Sequence, residues 1–374
     1  VVVPDSFRGP VPAREKCEIA QGVIPRHFPA CEVVCIPVAD GGEGTVDCFI
    51  QAMGAQRVGV TVTNALGEKS AAAYARIGEL AIIEMAAAAG LPQVGALRCP
   101  GTATTYGVGE LIAHAVDSGC RKILLGLGGS ATNDGGCGCA VALGVRFYDA
   151  AGQSFVPVGD TLGRIARIDT AKADELLRSV EITVMCDVTN PLYGPTGAAY
   201  VFAPQKGADA EKVKSLDAGL RHFGDVIRSQ YGLDVSAMPG AGAAGGMGAG
   251  CVALLGGMIQ SGIDAVLDVT GFDRQLEGPD LVITGEGRID SQSADGKVVS
   301  GVARRTRAKG VPLIAIAGGI ADSAGAVYDI GVSAMFSTDR AALPVDMLGA
   351  RSPGDYEETL SDIMSLIAIA ERFA

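Results

Sequence analysis

The stretch Leu124-Leu-Gly-Leu-Gly-Gly-Ser-Ala-Thr-Asn-Asp-Gly-Gly136 decides how this chain is read. It begins as the end of an apolar, strand-like run from Lys122. It then turns through paired glycines and gathers Ser130, Thr132, Asn133 and Asp134 ahead of a small-residue helix. Glycine admits positive φ and lets a ligand approach the backbone closely. Successive bare N–H groups before a helix form a cradle for phosphate oxygens. The hydroxyls and carboxylate beside them suit a substrate or Mg²⁺. A tight strand-to-helix turn with no ligand is the plain alternative, and the rest of the chain decides between the two.

Working outward, the same grammar recurs. Val1-Val-Val3 reads as a strand running into Asp5, Ser6 and Arg8, and Glu32–Ala39 as a second running into Asp40-Gly-Gly-Glu43. Helices are expected over about 14–27 and 46–53. In parallel sheets, ligands sit beyond the carboxyl ends of such strands. From Gly59 the pattern changes to an antiparallel meander over 60–63, 70–77 and 80–85, which marks a domain boundary. Farther on, a strand over 181–186 ends in Asp187-Val-Thr-Asn190, and Lys206 sits in a loop before a charged helix over 211–231. A second glycine loop spans 239–246, and a small-residue helix is expected over 250–262. Strands over 280–284, 312–317 and 333–338 follow, the first ending in Gly285-Glu-Gly-Arg-Ile-Asp290. The fold class is therefore α/β. Residues 1–58 and 275–374 form a doubly wound parallel-sheet domain, interrupted by a second α/β domain, 59–274, with an antiparallel or mixed sheet.

Composition narrows the function. The chain has 374 residues and 48% hydrophobic content, enough for folded cores in two or three domains. A net charge of −12 argues against nucleic-acid or anionic-membrane partners. An anionic substrate must then be held by local donors, a few cations or a metal. The ten cysteines are scattered; Cys31-x3-Cys35 and Cys137-x-Cys139 lack a second pair or a histidine to complete a zinc site. No charged-then-apolar leader opens the sequence, and the uncharged run 236–263 is too broken by glycine for a membrane helix. A cytoplasmic protein is expected, with self-association left open.

Gly126-x-Gly128-x-x-Ala131 matches the loose dinucleotide fingerprint, with Asp149 about twenty residues on, so a nicotinamide-dependent hydroxy-acid dehydrogenase is one alternative. The short glycine-rich helix, the preceding meander and Asn133-Asp134 count against it. No P-loop occurs, since Asp295-Gly-Lys297 is only a fragment of one. The histidines, His27, His114 and His222, fall on expected helices away from the glycine loops, which makes a histidine base improbable. What remains is a set of strand-end carboxylates: Asp5, Asp40, Glu43, Asp134, Asp187, Glu286 and Asp290. With them come the cations Arg8, Lys206, Arg288 and Lys297. One strand-end acid is usually a helix cap. So many, set among Gly, Ser, Thr and Asn, match the inventory of phosphoryl transfer: amide cradles, carboxylate-held Mg²⁺, and a cation at the moving group.

Seven stretches together resemble the class I glycerate kinase family of bacteria. They are Val3-Pro-Asp-Ser-Phe-Arg-Gly9, Val38-Ala-Asp-Gly-Gly-Glu-Gly-Thr45, Gly128-Gly-Ser-Ala-Thr-Asn-Asp-Gly-Gly136 and Cys186-Asp-Val-Thr-Asn-Pro-Leu192. With them go Pro204-Gln-Lys-Gly-Ala208, Pro239-Gly-Ala-Gly-Ala-Ala-Gly-Gly246 and Ile283-Thr-Gly-Glu-Gly-Arg-Ile-Asp-Ser-Gln292. The matches run in order across nearly the whole chain. The resemblance implies a kinase taking phosphate from ATP, with Mg²⁺, to a hydroxyl of D-glycerate, typically giving 2-phosphoglycerate. Kinases of other small hydroxy acids, and a sugar-acid binding protein without turnover, are the neighbouring readings. It also implies a flavodoxin-like domain interrupted by a second α/β domain, with the active site in the cleft between. Two departures stand out. Arg8 replaces the family's usual Lys with a planar fork, and Pro10 and Pro12 stand where serines are usual. On this basis Gly128, Gly129, Ser130, Thr132, Asn133, Asp134, Lys206, Gly285, Glu286 and Gly287 are assigned to nucleotide phosphates. Asp40 and Glu43 are assigned to Mg²⁺, and Asp5, Ser6, Arg8 and Arg288 to glycerate. Asp187 or Asp290 is the expected base, with Lys297 near the transferred phosphoryl.

Overall fold

The computed structural model describes residues 1–5, 11–38, 44–294, 297–341 and 351–370. The chain divides into two units, Val1–Asp40 with Ile263–Ala374, and Gly41–Gly262. These junctions differ from 58/59 and 274/275. Helix Thr45–Met53 accounts for the first difference: it packs on strands Lys69–Ile77 and Leu80–Glu84, and its Val46 N–H donates to the Glu84 carboxylate at 2.7 Å.

The first unit carries a four-stranded parallel sheet in the order Val2–Pro4, Val282–Ile289, Leu313–Ile320, Ala334–Ser337. Alternation along these strands feeds two faces. Val2, Ile283, Ile314 and Ile316 meet Ala20, Val23 and Ile24 of helix Ala13–His27, and Tyr356, Leu360, Ile363 and Met364 of helix Ser352–Ala370. Those helix residues recur at spacings of three and four, the apolar stripe of a packed helix. Val3, Val282 and Ala315 alternate to the other face and are fully buried, and helix Val298–Lys309 packs on strands Val282–Ile289 and Leu313–Ile320. Burial on both faces is the mark of a doubly wound sheet.

Two expectations are corrected here. The strand over Glu32–Ala39 exists only as isolated bridges, as far as Val38, the last described residue. Val2 N–H donates to Val34 O and Ile36 N–H to Val2 O, both at 2.8 Å, and Val38 N–H donates to Pro4 O at 3.1 Å. Pro4 has no N–H to complete the ladder between them. In contrast, the strand expected to stop at Thr284 continues through Gly285, Glu286, Gly287 and Arg288, with Glu286 opposite Ala317 and Arg288 opposite Gly319.

The second unit carries a six-stranded mixed sheet in the order Met258–Gln260, Glu181–Met185, Lys122–Gly126, Leu80–Glu84, Lys69–Ile77, Gln56–Thr63. The first four are parallel and the last three form the expected meander. Asn64 fixes one of its turns, its side-chain oxygen accepting the Leu66 and Glu68 N–H groups at 2.9 and 3.0 Å. A three-stranded antiparallel sheet of Arg146–Tyr148, Ser154–Phe155 and Arg167–Asp169 lies in the same unit. Helix Ala210–Tyr231 starts at an Asp209 cap that accepts the Lys212 N–H at 2.8 Å. The helix expected over 250–262 is instead helix Ala243–Leu255 followed by strand Met258–Gln260. Among the described residues no helix is long and apolar enough to cross a membrane.

Candidate active site

In register, Glu84, Gly126 and Met185 stand side by side at the carboxyl ends of neighbouring parallel strands, and Gln260 pairs with Met185. One sheet edge thus receives Glu84, the glycine loop, Asp187 and Ser261, at the end where ligands collect in such sheets. Gly128 and Gly129 are exposed at the loop's tip. Gly129 holds φ at +72°, which a side chain would strain. Its carbonyl accepts the Leu91 N–H at 2.9 Å, and Ala131 N–H donates to Ala89 O at 2.8 Å. Among the described residues, the N–H groups of Gly128, Gly129 and Ser130 donate to no protein acceptor. Three adjacent amides beyond a strand end are thus left without a well-formed hydrogen bond to another backbone group among the described residues.

Beneath the tip the loop is tightly built. Asp134 is fully buried; its Oδ2 accepts the Thr105 N–H and hydroxyl, both at 2.8 Å, and the Gly138 N–H at 3.2 Å, while Oδ1 accepts the Gly136 N–H at 3.1 Å. Burial pushes this carboxyl's pKa up and the four hydrogen bonds oppose the shift. Lys206, only 2% exposed, places Nζ 2.7 Å from Ser130 Oγ and 2.7 Å from the Thr132 carbonyl oxygen. Burial lowers its ammonium to about 7, with the Asp134 charge working the other way. Thr132 Oγ1 and both polar atoms of the Asn133 amide are buried with no hydrogen-bond partner among the described residues. Gly245 of the second glycine loop packs against them at φ +71°, where a Cβ would run into the Thr132 carbonyl. Its own carbonyl accepts the Gly135 N–H at 3.0 Å. The side chains of Thr132, Asn133, Asp134 and Lys206 are buried beneath the loop, and its exposed surface is the backbone of Gly128 and Gly129.

In the first unit, Asp5 is half-buried beyond the end of its strand, its N–H 3.3 Å from Gly285 O. Gly285 is buried within its strand. Glu286, 4% exposed, accepts the Ser293 hydroxyl at 2.8 Å and, at 3.2 Å, the Val299 N–H in the first turn of helix Val298–Lys309. Burial raises its pKa, opposed by those bonds and by the Lys297 charge. Through these bonds it anchors the start of that helix. Gly287 and Arg288 are exposed, and Arg288 has no ion-pair partner among the described residues. Asp290 Oδ1 accepts the Gln292 N–H at 2.9 Å and lies 3.9 Å from Lys297 Nζ, so the expected base and phosphoryl cation stand together. Asp187, in the second unit, is exposed and accepts the Gly262 N–H at 2.8 Å. Ser6, Arg8, Asp40 and Glu43 lie outside the described residues.

Sequence reasoning missed two residues. Thr105 precedes helix Tyr106–Asp117, where a hydroxyl reads as an ordinary cap. Glu84 ends a strand as the other acids do, which was the available signal. With Val46, Asp47, Arg57 and Ala87 it lines an open cavity of about 390 Å³, and Asp47 and Arg57 form an ion pair there.

The glycerate kinase family profile matches residues 1–368. The chain belongs to the glycerate kinase family. It is 44% identical to a glycerate kinase of Bacillus cereus (strain ATCC 10987 / NRS 248) over 99% of this chain and 98% of that one. A glycerate 2-kinase of Escherichia coli (strain K12) is 45% identical over 90% of this chain and 89% of its own. A crystal structure from Salmonella typhimurium LT2, described provisionally as glycerate kinase 2, superposes with a TM-score of 0.87 at 38% identity, covering 99% of both chains. Within this glycerate kinase family frame the dinucleotide alternative falls away. Asp149, its required ribose ligand, instead accepts the Ala151 and Gln153 N–H groups and pairs with Arg164 at 3.2 Å. The histidines are likewise engaged outside the glycine loops: His27 with Ser361, His114 with Tyr74, and His222 with the Ile165 carbonyl.

Proposed function

We propose that this protein transfers the γ-phosphoryl group of ATP to D-glycerate, giving 2-phosphoglycerate. The observation that carries the reading is family membership along residues 1–368. The relative named glycerate 2-kinase supports the position of transfer. The amides of Gly128, Gly129 and Ser130 take nucleotide phosphate oxygens, a task for which their unpaired state suits them. Arg288, exposed and without an ion pair, takes the glycerate carboxylate through its planar fork, with Asp5, Ser6 and Arg8 of the first motif completing that subsite.

As the glycerate oxygen bonds to phosphorus and the bond to the ADP oxygen breaks, the hydroxyl proton passes to a carboxylate, Asp290 or Asp187. Lys297, beside Asp290, stabilises charge on the moving group. Among the described residues no group of three His, Cys, Asp or Glu forms a metal cluster. A kinase Mg²⁺ uses one or two carboxylates and otherwise phosphates and water. Asp40 and Glu43 are the two carboxylates we assign to the ion, which fits that donor set. Bound there, Mg²⁺ supplies charge neutralisation at the phosphates. The acidic net charge supports an enzyme of small molecules without a nucleic-acid partner, and we place it in the cytoplasm. Adding enolase to the reaction tests the product: turnover is expected, and a product that enolase ignores would refute the 2-position.

A further inference from the structure

We propose that Lys206 is a positioning residue. From beneath the glycine loop it holds Ser130 and Thr132 so that the Gly128–Ser130 amides face phosphate in a fixed arrangement. This rests on reading the loop as the phosphate site.

Lysine is almost never fully buried without a specific partner, and an apolar side chain of similar volume fills an interior slot at lower cost. Here the ammonium is spent on two acceptors, Ser130 Oγ and the Thr132 carbonyl oxygen, which straddle Ala131. Ala131 is itself tied to Ala89, and Gly129 to Leu91. The loop is therefore held by the 89–91 segment and by Lys206. The turn that delivers the lysine is fixed in its own right. Lys206 N–H donates to Ala203 O at 3.0 Å, Gly207 N–H donates to Pro204 O at 3.0 Å, and the Arg98 guanidinium donates to Gln205 O at 2.9 Å. At 2% exposure Lys206 does not reach a ligand itself. Its effect on ATP passes through the backbone it holds.

The test compares steady-state KM values for ATP and glycerate, with a melting temperature for each variant, in wild type, Lys206→Met, Ser130→Ala and Gly129→Ala. Lys206→Met is expected to raise the ATP KM about tenfold, the worth of one hydrogen bond, with glycerate KM held within about twofold. Ser130→Ala, which leaves the lysine only Thr132, shifts the ATP KM the same way by about threefold. A general loss of packing would move both KM values or neither. A folded Lys206→Met enzyme with the wild-type ATP KM overturns the proposal. If that variant does not fold, an unchanged ATP KM in Ser130→Ala overturns it. Gly129→Ala separates the two levels. If it alone raises the ATP KM, the loop binds phosphate and Lys206 does not position it. If it changes nothing, the phosphate-site reading itself fails.

Discussion

Asp134 and Lys206 are both buried under the glycine loop, and a buried charge is costly unless it is hydrogen-bonded and balanced. Asp134→Ala removes the acceptor of Thr105, Gly136 and Gly138 and the opposite charge that acts on Lys206. We expect a loss of about 3 kcal/mol or more in urea unfolding, because several buried donors lose their acceptor at about 1–3 kcal/mol each. Lys206 also predicts a pH dependence. Its pKa is about 7 when folded against 10.5 for the ordinary group, so between these values the unfolded chain binds the extra proton. This group's contribution to stability therefore rises with pH across that window, and its burial cost is felt in full below about 7. Wild type should gain on Lys206→Met between about pH 7 and 9, as urea titrations at each pH would reveal; a constant gap contradicts the buried-charge account. At this scale the sequence made the polar inventory legible and not its direction. Acid among glycines marked Asp134 and Glu286 as important. Whether such an acid points toward a ligand or into the protein depends on partners such as Thr105, which periodicity does not reveal. Arg288, by contrast, is exposed, with no ion-pair partner among the described residues.

Elements whose residues follow one periodicity were the readable ones. Helices Ala13–His27 and Ala210–Tyr231 and the later two strands of the meander lie within a residue or two of their expected limits, whereas its first strand, Gln56–Thr63, starts four residues earlier than expected. Where strands were missed, glycine signalled a loop that tertiary pairing overrode; where one was overcalled, at Glu32–Ala39, Pro4 of the neighbouring strand broke the ladder. Strand Val282–Ile289 absorbs two glycines because Leu313–Ile320 continues to pair with it, and Met258–Gln260 is three residues long beside a glycine pair. Two predictions belong here. Glu286→Ala leaves the Val299 N–H and the Ser293 hydroxyl without their acceptor and should cost about 1–3 kcal/mol. Hydrogen exchange should show that loss concentrated in the first turn of Val298–Lys309, whereas uniform loss would argue against an anchoring role. Gly245→Ala forces a Cβ against the Thr132 carbonyl and should cost about 1–3 kcal/mol by overpacking. A melting temperature equal to wild type would show that the two glycine loops are not packed as described.

For the whole molecule, the return of apolar strands near residue 280 made an interrupted α/β chain legible. Strand order was not, because neighbours such as Leu80–Glu84 and Lys122–Gly126 are chosen by long-range pairing. Helix Thr45–Met53 joined the second unit for the same reason, through Glu84. Chemistry is tested at this scale by Asp187→Asn and Asp290→Asn. The one that serves as base should lose kcat by about 100-fold or more, and near-wild-type kcat in both would remove the base from this pair. Asp40→Ala should raise the Mg²⁺ concentration needed for half-maximal rate, and an unchanged titration would take Asp40 out of the metal site. The most direct measurement is ADP release from purified protein with ATP, Mg²⁺ and D-glycerate, set against the same mixture without glycerate. The account predicts rapid ADP formation that depends on glycerate; ADP formation indifferent to glycerate, or none while ATP still binds, would contradict it.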